Sequence, residues 1–67
     1  MEFQLSGEYI ELIQLLKASG LAESGAMAKN FVDDGAVKVN GITEYRRRNK
    51  IKRGDHIDFE GNSITVK

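Results

Sequence analysis

Six basic side chains lie close together in the segment EYRRRNKIKRGD, residues 44–55: Arg46, Arg47, Arg48, Lys50, Lys52 and Arg53. The chain as a whole has ten basic and ten acidic residues, and therefore no net charge. Arginine binds phosphate oxygens through two parallel hydrogen bonds, and each neutralised phosphate releases condensed counterions. The run therefore indicates either a phosphate-binding surface or a solvated sheet edge that charge protects from pairing with another chain. By themselves, the residues leave both interpretations open.

The charge is unevenly distributed along the sequence. Residues 1–34 carry a net charge of −4, residues 35–54 carry +6, and residues 55–67 carry −2. A zero total therefore hides a strongly polarised middle segment, and such asymmetry favours an anionic partner.

Catalytic and metal-binding patterns are absent from the sequence. There is no cysteine, His56 is the one histidine, and no glycine-rich phosphate loop occurs. The acidic pair Asp33-Asp34 is typical of a solvated helix end. With 67 residues, we expect one domain over residues 1–67 with a modest core, without catalysis, metal or cofactor. No secretory signal and no long apolar run is visible, so we expect a cytoplasmic protein without membrane contact.

Helical periodicity is confined to the first half of the chain. After a short strand over 1–5, the spacing of Tyr9, Leu12, Ile13 and Leu16 predicts a helix over 8–18 with Ser6 as its cap. A second helix is predicted over 24–34, with Ser24 near its N-cap and Ala28, Phe31 and Val32 on its inner face. Gly20 and Gly35 stand where left-handed helix ends are expected.

Alternating apolar residues predict strands after residue 35. Asn40-Gly41 is a strong hairpin signal between strands at 36–39 and 42–45. Two further strands are predicted at 56–60 and 63–67, joined by a turn at Gly61-Asn62. The sequence thus predicts an α+β fold, with two short helices packed on a small antiparallel sheet of about four or five strands.

Three motifs resemble an RNA-binding domain named after the fourth protein of the small ribosomal subunit, here the S-four domain, whose core is called the alpha-L motif. They are Gly20-Leu21-Ala22-Glu23-Ser24, then Gly35-Ala36-Val37-Lys38-Val39-Asn40-Gly41, and Gly54-Asp55-His56-Ile57. They occur in the family's order and spacing across residues 12–59. The segments AESGAMAK and RRRNKI are most similar to its stand-alone bacterial branch, labelled YbcJ-like or YaaA-like.

This resemblance implies an RNA-binding face made of nine residues: Lys17, Ser24, Gly25, Lys29, Lys38, Arg46, Arg47, Arg48 and Lys50. One position departs from the family, which usually has Arg where this chain has Gly25. The change implies weaker binding or a different RNA geometry, or a close approach of a phosphate to the helix N-terminus. If the strand after the hairpin continued through the arginines, Arg46 and Arg48 would point to one side and Arg47 to the other.

The resulting hypothesis is a monomeric, non-catalytic module that binds structured RNA, with ribosomal RNA, transfer RNA and ribosomal particles as the candidate partners. With no Trp and three Phe, a broad base-stacking platform is not expected. Tyr45 is equally consistent with stacking on a base and with packing on the sheet. A protein-interaction or ribosome-associated adaptor is the alternative. A helix-turn-helix DNA binder is less consistent, because the second helix has one basic residue, Lys29, against Asp33 and Asp34.

Overall fold

The computed structural model describes all residues from 1 to 67, which form two helices and seven short strands. In chain order these are β1 (Glu2–Phe3), β2 (Ile10–Glu11), α1 (Leu12–Ala18), α2 (Gly25–Asp33), β3 (Val37–Val39), β4 (Ile42–Thr43), β5 (Lys50–Ile51), β6 (His56–Phe59) and β7 (Asn62–Val66). Neither helix has the length and apolar character that crossing a membrane requires.

Helix α1 begins four residues later than the predicted helix over 8–18. Ser6 does not cap it. The N-cap is Glu11, whose side chain makes no capping hydrogen bond. Instead, the amides of Leu12 and Ile13 donate to the carbonyls of Asn49 and Arg47, at 3.0 and 3.1 Å. Because a distant loop satisfies the first amides of the helix, no local capping residue is needed.

The apolar stripe of α1 is also shifted from the prediction. Leu12, Leu15 and Leu16 are fully buried, whereas Tyr9 lies before the helix and is 45% exposed. The residues before α1 are extended because β2 pairs antiparallel with β5, with Ile10 opposite Ile51 and Glu11 opposite Lys50.

Helix α2 agrees with the prediction. The Ser24 hydroxyl accepts a hydrogen bond from the Met27 amide at 3.2 Å, which satisfies one unpaired donor of the first turn. The chain leaves the helix through Gly35, whose φ of +75° is left-handed. Phe31 is only partly buried; its ring lies 4.5 Å from the Phe59 ring, centroid to centroid.

The five-stranded sheet has the order β1-β7-β6-β3-β4. All its pairs are antiparallel except β1 with β7, which is parallel, so the sheet is mixed. The predicted Asn40-Gly41 turn is confirmed by positive φ values of 53° and 85°. The last turn lies at Glu60-Gly61, one residue before the predicted position, and β4 ends at Thr43 rather than at residue 45.

The core lies between the two helices and one face of the sheet. Thirteen residues are buried and all are apolar. Along β6 and β7, Ile57, Phe59, Ile64 and Val66 point into this core, while the alternate residues form a polar outer face. The loop after β4 contributes no residue to this buried cluster.

Candidate nucleic-acid interface

The arginines lie on a loop, residues 44–49, between β4 and β5; it is here called the arginine loop. Its turn is closed by a hydrogen bond from the Asn49 amide to the Arg46 carbonyl, at 3.2 Å. Two of its carbonyls accept the first amides of α1, as described above. The backbone of the loop is therefore held against a helix, although it belongs to no strand.

Arg46 is held by Glu44 within the same loop. Its Nε and Nη2 donate to the two carboxylate oxygens of Glu44, each at 3.0 Å, and its amide donates to Oε2. Asn49 Nδ2 donates to the same carboxylate at 3.1 Å. The Arg46 hydrogen bonds lower the pKa of Glu44. Glu44 thus organises the loop while the Arg46 side chain remains 75% exposed.

Arg47 points to α2. Its Nε and Nη2 donate to the carboxylate of Asp33 at 2.9 and 2.7 Å. This hydrogen-bonded contact lowers the pKa of Asp33, and the charge of Lys29 acts in the same direction. The loop is consequently connected to the last turn of the second helix.

Arg48 and Lys50 have donors that no carboxylate occupies. Arg48 is 80% exposed and donates only through Nε, to Glu11 at 3.1 Å, so both terminal nitrogens are available to a ligand. The Lys50 ammonium lies 4.9 Å from the centre of the Tyr9 ring and makes no ion pair. A shallow depression of about 360 Å³ is lined by Arg46, Arg48, Asn49 and Lys50. Three cations and an amide thus face one space.

Arg46 and Arg48 lie apart from Arg47 for a different reason than the one predicted. Residues 44–49 form no strand, so strand alternation does not apply. Arg46 and Arg48 nevertheless line the same depression, whereas Arg47 reaches Asp33. Turn geometry and ion pairing, rather than the period of a strand, produce this arrangement.

Helix α2 carries a further cation, Lys29, on the side that contacts the arginine loop. Gly25, Lys29 and Asp33 are spaced by four residues, so they lie along one stripe of the helix that ends at Arg47. Lys29 is exposed on this stripe. The Ser24 hydroxyl oxygen already accepts the capping hydrogen bond from the Met27 amide. A Cβ placed on Gly25 would have no atom within 4 Å, and its backbone is helical, so no packing constraint requires glycine there.

Two predicted residues, Lys17 and Lys38, lie away from both the depression and the stripe on α2. Lys17 lies in the last turn of α1, whereas the arginine loop contacts the first turn. Lys38 lines a separate depression of about 270 Å³ together with Asp58 and Glu60. The structure therefore groups the arginines with Lys50 and connects them to Lys29, but it leaves Lys17 and Lys38 apart.

Asn49, which lines the depression, and Glu44, which holds Arg46, were not among the predicted residues. Three more residues contribute through contacts between distant parts of the chain. Arg53 donates to the carbonyls of Gly7 and Leu5 at 2.7 and 2.8 Å, so it holds the N-terminal segment in place. Glu11 contacts Arg48 across 37 residues, and Tyr9 contacts Lys50. No local pattern reports these contacts, since each joins residues that are distant in the sequence.

His56 takes part in a polar network although its side chain is 45% exposed. Its Nε2 lies 2.6 Å from Ser63 Oγ and 3.5 Å from Asp58 Oδ1, while Nδ1 faces Thr65 Oγ1 at 3.2 Å. A serine nucleophile set requires the carboxylate on the ring nitrogen opposite the serine. Here the serine and the acid share one nitrogen, so the arrangement is a polar network on the outer face of the sheet.

Comparison with known proteins identifies the family. Residues 3–67 match the model of the S4 domain. The chain is 47% identical over 58 residues to "Putative RNA-binding protein YbcJ" of Escherichia coli (strain K12), covering 87% of this chain and 83% of that protein. It is 41% identical over 54 residues to "Probable ribosome maturation protein RlbA" of Bacillus subtilis (strain 168), covering 81% and 76%.

Solved structures agree with this assignment. The solution structure of YbcJ from E. coli, described as revealing an alpha-L motif involved in RNA binding, superposes with a TM-score of 0.75 at 44% identity, over 97% of this chain and 84% of that chain. Ribosomal protein S4e of Thermoplasma acidophilum shares the fold, with a TM-score of 0.73 at 22% identity, over 87% of this chain and 31% of that chain. The expected family and the α+β fold are confirmed: the chain belongs to the S4 domain family and to its stand-alone, YbcJ-like branch.

Proposed function

We propose that this protein binds structured RNA through the arginine loop and does so without catalysis. The observation that carries the proposal is the depression lined by Arg46, Arg48, Asn49 and Lys50. It presents unpaired donors of Arg48 and the free ammonium of Lys50 to the same space. Phosphate oxygens of a nucleic-acid backbone are the ligands that such a set of donors recognises best.

Recognition of the backbone distinguishes this surface from a base-reading surface. Guanidinium and ammonium groups contact phosphates of any sequence, so shape and charge would select the RNA. We propose that Lys29 and Arg47 extend the same surface along α2, with Ser24 and Gly25 at its far end. Lys38 would contribute less, because Asp58 and Glu60 line its depression too. Lys17 would meet only an RNA that reaches the other end of α1.

The relatives support this proposal and suggest the partner. One is named for RNA binding and another for ribosome maturation. Ribosomal RNA, within a ribosomal particle, is therefore the first candidate, and transfer RNA is the second. A protein with this partner would act in the cytoplasm, and we propose that it acts as a monomer and as one domain over residues 1–67. An adaptor that contacts ribosomal protein instead of RNA is the competing function.

Salt dependence of RNA affinity tests the proposal. We expect about three to five phosphates to be neutralised, so the logarithm of affinity should fall with the logarithm of salt with a slope of roughly −2 to −4. Affinity for a labelled RNA hairpin would be measured by fluorescence anisotropy at several salt concentrations. Affinity that hardly changes with salt would contradict backbone-led binding. An absence of RNA binding, with retained binding to ribosomal proteins, would favour the adaptor.

Charge-neutralising variants locate the site. Arg48→Gln should weaken RNA binding roughly tenfold and reduce the magnitude of the salt slope by about 0.9, since one phosphate contact is lost. Arg47→Gln should have a smaller effect, because Asp33 already occupies two of its nitrogens. Lys67→Gln is the matched control: it removes the same charge from a residue that pairs with Glu2, at the other edge of the sheet. Equal losses in all three variants would refute the assignment of the site to the arginine loop.

A further inference from the structure

Tyr45 is a large aromatic side chain that does not pack in the core. It is 64% exposed, and it is not among the residues that pack on the buried cluster. The three phenylalanines differ from it, since Phe59 is buried and Phe3 and Phe31 pack against the core. The other tyrosine, Tyr9, has the Lys50 ammonium over its ring. Tyr45 is therefore the one aromatic residue with a largely open ring.

The Tyr45 ring lies over Gly35, where a side chain of residue 35 would otherwise be. A Cβ at residue 35 would lie 3.0 Å from the Tyr45 hydroxyl oxygen and 3.3 Å from Cε1, which is closer than side chains normally tolerate. Gly35 also has a φ of +75°, which favours glycine. On the other side of Tyr45 in the chain, the Arg46 amide is fixed by Glu44. The lack of a side chain at residue 35 therefore leaves the space that the ring occupies, and the backbone that follows Tyr45 is restrained.

The two residues after Tyr45 in the chain, Arg46 and Arg47, are cationic. Arg47 bonds to Asp33, two residues before Gly35. The Arg47 guanidinium and the Tyr45 ring thus both lie at the C-terminal end of α2. An open aromatic ring beside phosphate-binding groups is the combination with which proteins hold an unpaired nucleotide.

We propose that Tyr45 stacks on an unpaired base, so that the preferred RNA is a helical segment interrupted by a bulged or looped-out nucleotide. This inference rests on the proposed function and makes it more specific. Arg46, Arg48 and Lys50 bind the phosphates of the helical segment, and Tyr45 selects the site at which a base has left the stack. Tyr45 is the residue that determines this specificity.

Two RNAs that differ by one nucleotide test the inference. One is a blunt duplex of two annealed strands, and the other is the same duplex with a single bulged 2-aminopurine. We expect the protein to bind the bulged duplex about five- to 150-fold more tightly, the range that base–aromatic stacking contributes, and to quench the 2-aminopurine fluorescence. Tyr45→Phe should retain the preference and Tyr45→Leu should abolish it. Ile42→Ala is the control for the loss of another exposed apolar side chain, since Ile42 is 74% exposed and takes no part in the proposed site. Circular dichroism checks the fold of each variant.

The possible results separate the two proposals. Equal affinity of the parent protein for both duplexes would overturn the stacking inference and leave RNA binding intact. A preference that survives in Tyr45→Leu would overturn the assignment to Tyr45. Failure of the parent protein to bind either duplex would refute the proposed function, and the stacking inference with it.

Discussion

Glu11 is expected to oppose RNA binding at the centre of the cationic surface. Its carboxylate bonds to Arg48 Nε at 3.1 Å, and in the β2–β5 pair it lies opposite Lys50. Side chains opposite each other in an antiparallel pair share a face, so Glu11 lies beside both Arg48 and Lys50. A phosphate bound by Arg48 would therefore approach a negative charge. We predict that Glu11→Gln increases RNA affinity.

The size of this effect follows from the geometry. A phosphate and a carboxylate that bind the same guanidinium are roughly 6 Å apart, and their repulsion is about 0.7 kcal/mol in bulk water and about 3 kcal/mol at an effective dielectric constant of 20. Arg48 is 80% exposed and Glu11 is 28% exposed, so the lower part of this range applies. Relief of about 1 kcal/mol corresponds to roughly a fivefold tighter complex. Loss of the exposed ion pair should change the free energy of unfolding by less than about 1 kcal/mol.

Fluorescence anisotropy with an RNA hairpin at low and moderate salt measures this gain. Glu2→Gln is the matched control, because it makes the same change in net charge in β1, at the opposite edge of the five-stranded sheet from the strand that precedes the arginine loop. If both variants bind RNA with the same affinity as each other, the carboxylate of Glu11 has no local influence and the depression is not the phosphate site.

Three further substitutions test the packing, the ion pairs and the departure from the family. Phe31→Ala should lower the free energy of unfolding by roughly 2–3 kcal/mol in urea denaturation, less than for a fully buried phenylalanine, since the ring is only partly buried. Glu44→Gln should flatten the acid side of the stability curve: the lowered pKa of Glu44 gives stability that is complete above its usual value of 4.5 and is lost as pH falls through the folded-state value. Gly25→Arg should fold normally, because the site is open, and should bind RNA more tightly by adding a cation one turn before Lys29.

Each of these has a result that contradicts it. An unchanged urea midpoint for Phe31→Ala would mean that its contact with Phe59 contributes nothing. A Glu44→Gln variant with the parent's acid transition would show that Arg46 does not stabilise the carboxylate in solution. If Gly25→Arg folds but binds RNA no better, the stripe from residue 25 to Arg47 lies outside the interface.

The elements that the sequence predicted well are those with local causes. Ser24 caps α2 through a contact three residues away, and Gly35 ends the same helix through its own φ. Asn40-Gly41 specifies its turn because both residues tolerate positive φ. Each of these signals acts within a few residues, so a single sequence is enough to recognise it.

The start of α1 was predicted wrongly because its causes are not local. Strand β2 consists of two residues, Ile10 and Glu11, and its partner β5 lies about forty positions later. The first amides of α1 donate to carbonyls of the arginine loop. Helical spacing of apolar residues over 8–18 contains no information about either contact, so the helix was extended backwards over residues that pair as a strand.

In the candidate site, too, local features were predicted and contacts between distant residues were not. A concentration of arginine is visible in the sequence, but the partner of each arginine is not. Arg47 bonds to Asp33 and Arg48 bonds to Glu11, across 14 and 37 residues. The roles of the basic residues therefore differ in a way that composition cannot indicate: Arg53 supports the N-terminal segment, while Arg48 retains free donors.

Under the proposed function, these ion pairs would suit a chain of zero net charge to selective RNA binding. All three arginines of the loop are held by carboxylates, so an approaching phosphate must replace or share a partner that already exists. Indiscriminate attraction between the protein and any polyanion is thereby reduced, since long-range attraction depends on the summed charge. An RNA whose phosphates fit the depression gains the free donors of Arg48 and Lys50 at once, and one with a base available to Tyr45 gains a contact that charge cannot provide. Discrimination then arises from the arrangement of partners rather than from total positive charge.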